Sequence, residues 1–305
     1  MIDIDIIIPV YNSKNTINRT LYSILYQSYK YKHVYLINDC DNYDYSDEVR
    51  FFSNFFDIQE YRMEKNGGPG AARQYGLEVS KGKYVTFVDS DDVFNTPYAL
   101  KILVEGIEKD YDLVATRIIL QWGDELVHSD NYFGSLHGKV FRRKFIFDNH
   151  VIFNPARLIN EDGTFNQVCF RHDARVDFID TPIYVRLDNG DSLTHHMNYS
   201  YQSEIDCILQ MYWVLELGIK ENWSKDQLET VERFLINYVC QNYMKLENKE
   251  LVDDARNKIR DYKKEYITDN RALVSDFING FKDVEKKSKD YIIRPLIKGF
   301  DELYK

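Results

Sequence analysis

The apolar positions of the first hundred residues alternate between two rhythms. Ile2 to Val10 is an isoleucine-rich run interrupted only by Asp3 and Asp5, and it ends at Pro9-Val10-Tyr11-Asn12. That pattern predicts a buried strand followed by a loop. Ile17, Leu21, Ile24 and Leu25 then fall at helical spacing, with Asn12 or Ser13 placed to cap the helix. A second strand is predicted over His33 to Ile37, a helix with an aromatic face over Tyr45 to Phe56, and a short strand over Ile58 to Met63. The glycines of Asn66-Gly67-Gly68-Pro69-Gly70 predict a tight turn that opens a helix running to Ser80. Tyr84 to Val88 is a further strand. Four strands thus alternate with three helices, the signature of an α/β fold with a parallel sheet covered on both faces.

Beyond this half the pattern predicts a helix over Thr96 to Lys109 and a strand over Leu113 to Trp122. Glu125 to Ser129 is placed to pair with that strand across Gly123-Asp124, and Ile179 to Arg186 reads as the last strand. From about Tyr199 the chain changes character. Tyr201 to Leu217, Lys225 to Leu246, Leu251 to Tyr266 and Ala272 to Lys289 are helical by period and nearly free of glycine and proline. Ile292 to Tyr304 adds a short amphipathic segment. The expected organisation is a sheet domain over 1–198 and a helical C-terminal region over 199–305.

Charge narrows the class of partner. The net charge is −10, yet residues 256–305 hold 13 Lys and Arg against 9 Asp and Glu. The acidic body disfavours sequence-independent nucleic-acid binding, which needs cations to neutralise phosphates. The 15% aromatic content, with 24 tyrosines, is compatible with sugar-stacking surfaces or with plain compositional bias. Cys40, Cys169, Cys207 and Cys240 show no metal-ligand spacing, as expected of reduced thiols. No apolar run approaches the roughly 20 residues that span a bilayer. A cytoplasmic location is expected, free or peripheral at a membrane.

The candidate chemistry sits where the Tyr84 strand ends in Asp89-Ser90-Asp91-Asp92. Clustered carboxylates at the end of a buried strand call for a cation or a cationic ligand. In open α/β sheets this strand end is also where ligands bind. Asp92 and Asn95 are placed to start the helix that follows.

Four signatures in order make the first two thirds of the chain resemble the family 2 glycosyltransferases, inverting enzymes with the GT-A nucleotide-sugar-binding fold. They are Ile8-Pro9-Val10-Tyr11-Asn12, Asn38-Asp39, the Asn66 to Arg73 stretch, and Asp89-Ser90-Asp91; Glu161-Asp162 follows downstream. The resemblance implies a nucleotide-sugar donor, a UDP-sugar by preference. Pro9, Tyr11 and Asn12 would line the base and ribose, with Tyr11 stacking on the base or else a core tyrosine. Asp39 would accept the uracil imide N–H, or serve only as a turn former. Asn66 belongs to the donor stretch, and Arg73 would face ribose or diphosphate. Asp89 and Ser90 would contact the donor, and Asp91 would bind Mn²⁺ or Mg²⁺, with Asp89 and His195 as further metal residues. An oxygen-liganded divalent ion suits a diphosphate leaving group that gains charge. Asp162 would be the general base for the acceptor hydroxyl, with Glu161 as its competitor. The first acid of the family's usual pair is here Asn38, and Cys40-Asp41 replace the usual Gly-Ser.

Two rival classes are a sugar-phosphate nucleotidyltransferase and a degenerate nucleotide-binding scaffold. The first normally carries a glycine-rich loop after strand one, and Pro9 to Ser13 has none. The acceptor stays open among glycans, teichoic acids, lipids, proteins and modified nucleic-acid bases, and the helical region offers a surface for a homodimer.

Overall fold

A computed structural model of the chain describes residues 3–130, 134–156, 159–189, 201–228 and 230–231. Two compact units emerge, Met1–Arg157 with Glu161–His196, and Leu158–Asn160 with Met197–Lys305.

The first unit opens with β1 (Ile4–Val10), α1 (Ile17–Leu25), β2 (Lys32–Asn38), α2 (Ser46–Phe52), β3 (Asp57–Arg62), α3 (Gly68–Val79) and β4 (Tyr84–Phe87). The alternation read from the sequence is therefore present, with α2 ending earlier than its aromatic run suggested. β1 is flanked by β2 and β4, both parallel to it, and β3 lies outside β2. Strands buried on both faces need no polar alternation, which explains the continuous isoleucines of β1. One face packs Ile4, Ile6 and Ile8 with Ile17, Leu21, Ile24 and Phe52. α3 covers the other face at close range. A Cβ on Gly76 would stand 2.4 Å from Cγ2 of Ile7, so the helix lies on the sheet only because that position is glycine.

The second half of the unit contains β5 (Val93–Phe94), α4 (Ala99–Ile107), β6 (Leu113–Trp122), β7 (Glu125–Ser129), β8 (Lys139–Arg142), α5 (Arg143–Asp148), α6 (Glu161–Arg171) and β9 (Val176–Arg186). The sheet order is β3-β2-β1-β4-β8-β6-β9-β5, with β7 on β6. Here the pairing turns mixed: β8 is antiparallel to both β4 and β6, while β6 and β9 are parallel. The predicted β6–β7 hairpin is present. The parallel run of the first four strands stops at β4 because β8 enters between β4 and β6 from the opposite direction, and parallel pairing resumes only between β6 and β9.

In the second unit, α7 (Tyr201–Lys220) buries Gln210, Met211 and Val214. Trp223 closes against Gly218, where an added Cβ would lie 2.6 Å from the indole. The other helices expected beyond residue 231 lie outside the described residues. No described helix is long and apolar enough to cross a membrane.

Candidate active site

The chain leaves β1 first toward β2 and β3, then returns to β4 on the other side. Such a reversal opens a crevice at the carboxyl ends of the two central strands. The loops after β1, β2 and β4 and the N-terminus of α3 meet there. β8 runs antiparallel to β4, with Val85 opposite Phe141. Continuing that register places His137 opposite Asp89.

After β1 the chain turns through Asn12 at φ 55°, in the left-handed region that asparagine tolerates better than most residues. The Asn12 N–H donates to Asp41 Oδ2 at 2.7 Å, and the Tyr45 hydroxyl donates to the same oxygen at 2.5 Å. Asp41, which departs from the family pattern, thereby pins this turn. Tyr11 is 49% exposed, so it is not a core tyrosine. Pro9 is the next-to-last residue of β1, beside Ile37 of β2. The expected capping by Asn12 or Ser13 is not seen: α1 begins at Ile17 and its cap residue Thr16 makes no side-chain capping bond. The Ser13 hydroxyl instead lies 2.7 Å from the Ser90 hydroxyl, joining the β1 loop to the acidic turn.

Asp39 is buried at the end of β2. Its Oδ1 accepts the Gly67 N–H at 2.7 Å and its Oδ2 the Gly68 N–H at 2.8 Å. It holds a turn, though not its own, and fixes where α3 begins. Asn66 donates from Nδ2 to the Asp39 carbonyl at 3.1 Å. Its buried Oδ1 has no hydrogen-bond partner among the described residues.

Arg73 is 4% exposed, which rules out the reading of it as a surface cation. Its guanidinium does not stand open toward a donor, because two acids already hold it. Nη2 donates to Asp89 Oδ1 at 2.7 Å and Nη1 to Glu161 Oε1 at 2.6 Å. Burial opposes its charge, but Asp89, Glu161 and Asp162 push its pKa further up. Gly70 permits the approach: a Cβ there would sit 3.1 Å from Cγ of Glu161.

The acidic turn itself is asymmetric. Asp89 is gripped on both oxygens, Oδ1 by Arg73 and Oδ2 by His137 Nε2 at 2.9 Å. Burial would raise its pKa, but Arg73 and His137 outweigh burial and hold it well below the carboxylate range. Asp92 does not start a helix, since α4 begins only at Ala99. It points inward, 2% exposed, and accepts the Tyr184 O–H at 2.9 Å and the Leu187 N–H at 2.9 Å. Burial, with the charges of Asp89 and Asp91, pushes it up to about 7 against the attraction of His137. The reason is topological: β9 passes beside β5, bringing Tyr184 and Leu187 over the turn.

Asp91 differs from both. It is partly exposed, and its only described side-chain partner is the Asn189 amide at 3.2 Å. Burial and the Asp89 charge push its pKa up. Arg19 Nη2 donates to the Asp91 backbone carbonyl at 2.8 Å, but no ion pair reaches the carboxylate among the described residues. Such a carboxylate, at the open side of a fixed turn, fits an oxygen-preferring divalent ion. Asp89, Asp92 and His137 also lie close enough to share an ion, with ligand atoms within 4.8 Å of one another.

Asp162 stands in the first turn of α6, partly exposed, beside the buried Glu161. Its charge is felt by Arg73, by His137 and by Lys139. Burial and Asp162 raise Glu161 to about 7, with Arg73 opposing. His195 lies outside the described residues.

His137 and Lys139 carried no assigned role from the sequence. Ser135, His137 and Lys139 are buried polar residues at alternate positions leading into β8. The Lys139 ammonium donates to the Ser135 carbonyl, which also accepts the Asn166 amide at 2.9 Å. The only signal available was that polar alternation, set against apolar Leu136 and Val140.

Comparison with known proteins now places the chain. Residues 5–158, just over half of it, match the profile of "Glycosyl transferase family 2". The chain belongs to that family. Among relatives, an uncharacterised glycosyltransferase of Rickettsia bellii is 41% identical over 91 residues, 30% of this chain and 13% of that protein. The uncharacterised glycosyltransferase EpsJ of Bacillus subtilis is 23% identical over 239 residues, 66% of this chain and 68% of EpsJ. The chain therefore spans as little as 13% of the length of a relative that it matches. Among solved structures, S. aureus TarS 1–349 in complex with UDP-GlcNAc aligns with a TM-score of 0.70 at 20% identity, covering 90% of this chain and 83% of that one. The mixed α/β sheet is the GT-A fold of these glycosyltransferases.

Proposed function

We propose that this chain carries a metal-dependent, inverting glycosyltransferase activity, moving a sugar from a nucleotide-diphosphate donor to an acceptor hydroxyl. The observation that carries the proposal is Asp91: a carboxylate with no ion pair among the described residues, on the acidic turn after β4, near Asp89, which Arg73 and His137 already hold. The family 2 match supports sugar transfer, and the UDP-GlcNAc bound by TarS favours a UDP-sugar.

In this reading Tyr11 covers one face of the base, and Asp39, fixed by the Gly67 and Gly68 N–H groups, reads its imide edge. Asp91 would hold Mn²⁺ or Mg²⁺, with Asp89 as a further carboxylate of the same turn. The ion supplies charge neutralisation for the departing diphosphate. Asp162 takes the proton of the acceptor hydroxyl as it attacks the anomeric carbon from the face opposite the leaving group, which inverts the configuration. Glu161 suits this role less well, because Arg73 occupies it.

The test is Asp162→Asn. A screen of nucleotide sugars by donor hydrolysis identifies the donor, and transfer to candidate hydroxyl polymers follows. The variant is expected to bind UDP as the wild type does and to lose transfer by about 10²- to 10⁴-fold. Transfer at the wild-type rate by a correctly folded variant would refute the base assignment.

A further inference from the structure

His137 lies 48 residues beyond Asp89 in sequence and touches it in space. Its ring is buried, 7% exposed, and stacks on Tyr184 with centroids 5.0 Å apart and planes 7° from parallel. Tyr184 in turn donates its hydroxyl to Asp92 Oδ2 at 2.9 Å and accepts the Asp89 N–H at 3.1 Å. The stacked pair therefore grips the acidic turn at three points: the Asp89 carboxylate, the Asp89 backbone and the Asp92 carboxylate. An ionised carboxylate can only accept, so His137 must present Nε2–H to Asp89.

We propose that His137 is a positioning residue for the metal turn, bracing Asp89 with Arg73 so that Asp91 alone meets the ion. The proposal rests on the metal-dependent reading above. A direct-ligand role for His137 is the alternative that the Asp89–Asp92–His137 proximity suggests. Three features disfavour it. Asp89 already has a cation or an imidazole on each oxygen. Asp92 has a hydrogen-bond donor on each oxygen. The Asp92 carboxylate is also buried, whereas an ion that serves a diphosphate must face the open side, where Asp91 stands. Side chains that orient metal ligands without touching the metal commonly set its affinity.

The experiment titrates Mn²⁺ into the full chain with UDP present, for wild type, His137→Ala and His137→Gln, following free Mn²⁺ by electron paramagnetic resonance. Pulsed spectra of the bound ion report nitrogen ligands. Melting curves verify folding, and glutamine keeps an N–H donor within reach of Asp89 if alanine unfolds the turn. The expected result is a Mn²⁺ affinity about 10- to 100-fold weaker in His137→Ala, largely recovered in His137→Gln. No nitrogen coupling should be present in the wild type that disappears in His137→Gln. Such a coupling would make His137 a ligand and overturn the proposal. Wild-type affinity in both variants would overturn it as well. A wild-type chain that binds UDP equally well with and without Mn²⁺, and takes up no Mn²⁺ beside it, would sink the metal reading, and this inference with it.

Discussion

Arg73 and Glu161 meet at 2.6 Å, joining the second turn of α3 to the first residue of α6 across 88 positions of sequence. The same guanidinium reaches Asp89 at 2.7 Å. One side chain thus ties the acidic turn to the helix start that carries Asp162. Because Arg73, Glu161 and Asp89 are all largely withdrawn from water, each charge depends on the others.

Arg73→Ala leaves two carboxylates without their shared cation. The expected loss of stability is about 3–5 kcal/mol, read from denaturant unfolding. Arg73→Lys should recover only part of it, because a single ammonium cannot span two acids as a planar fork does. Full stability in Arg73→Ala would mean that the ion pairs contribute nothing net.

Lys139 gives a signature in pH. It is buried, and burial lowers its pKa from 10.5 to about 7. The unfolded chain therefore binds the proton more tightly than the folded one across that window, so stability rises with pH there. The contribution is complete above 10.5 and is lost as pH falls through about 7. Lys139→Met keeps the length of the side chain and removes the titration. Its stability should exceed that of the wild type at pH 6, and the difference should narrow toward pH 10. A difference independent of pH would place the ammonium in a more polar setting than the described contacts give it.

Local pattern revealed much of the half that runs from β1 to β4. Continuous apolar runs marked β1, β2 and β4, and the glycine turn marked α3, because those elements are specified by residues close in sequence. The roles of individual acids were less visible. Asp89, Asp91 and Asp92 look alike in sequence, yet one is braced by Arg73 and His137, one is partly open and one is turned inward toward Tyr184. What separates them is the antiparallel entry of β8 and the passage of β9 over the turn. Both are pairings between segments 48 to 95 residues apart, and no local periodicity encodes them. Asp41 shows the same effect at smaller scale: it seemed a departure from the family pattern, and the fold uses it to pin the Asn12 turn.

The Asp91 carboxylate has no ion pair among the described residues, Arg19 reaching only its backbone carbonyl, and its raised pKa reflects burial and the Asp89 charge. The most direct measurement is isothermal titration of UDP into the wild type and Asp91→Asn, with and without Mn²⁺, repeated at falling pH. Mn²⁺ should strengthen UDP binding in the wild type and have no effect in Asp91→Asn. The Mn²⁺ enhancement should fade as pH drops, with a midpoint above the ordinary aspartate value of 3.8, because the ion needs the ionised carboxylate. Equal Mn²⁺ enhancement in wild type and Asp91→Asn would contradict the assignment of the metal to this turn.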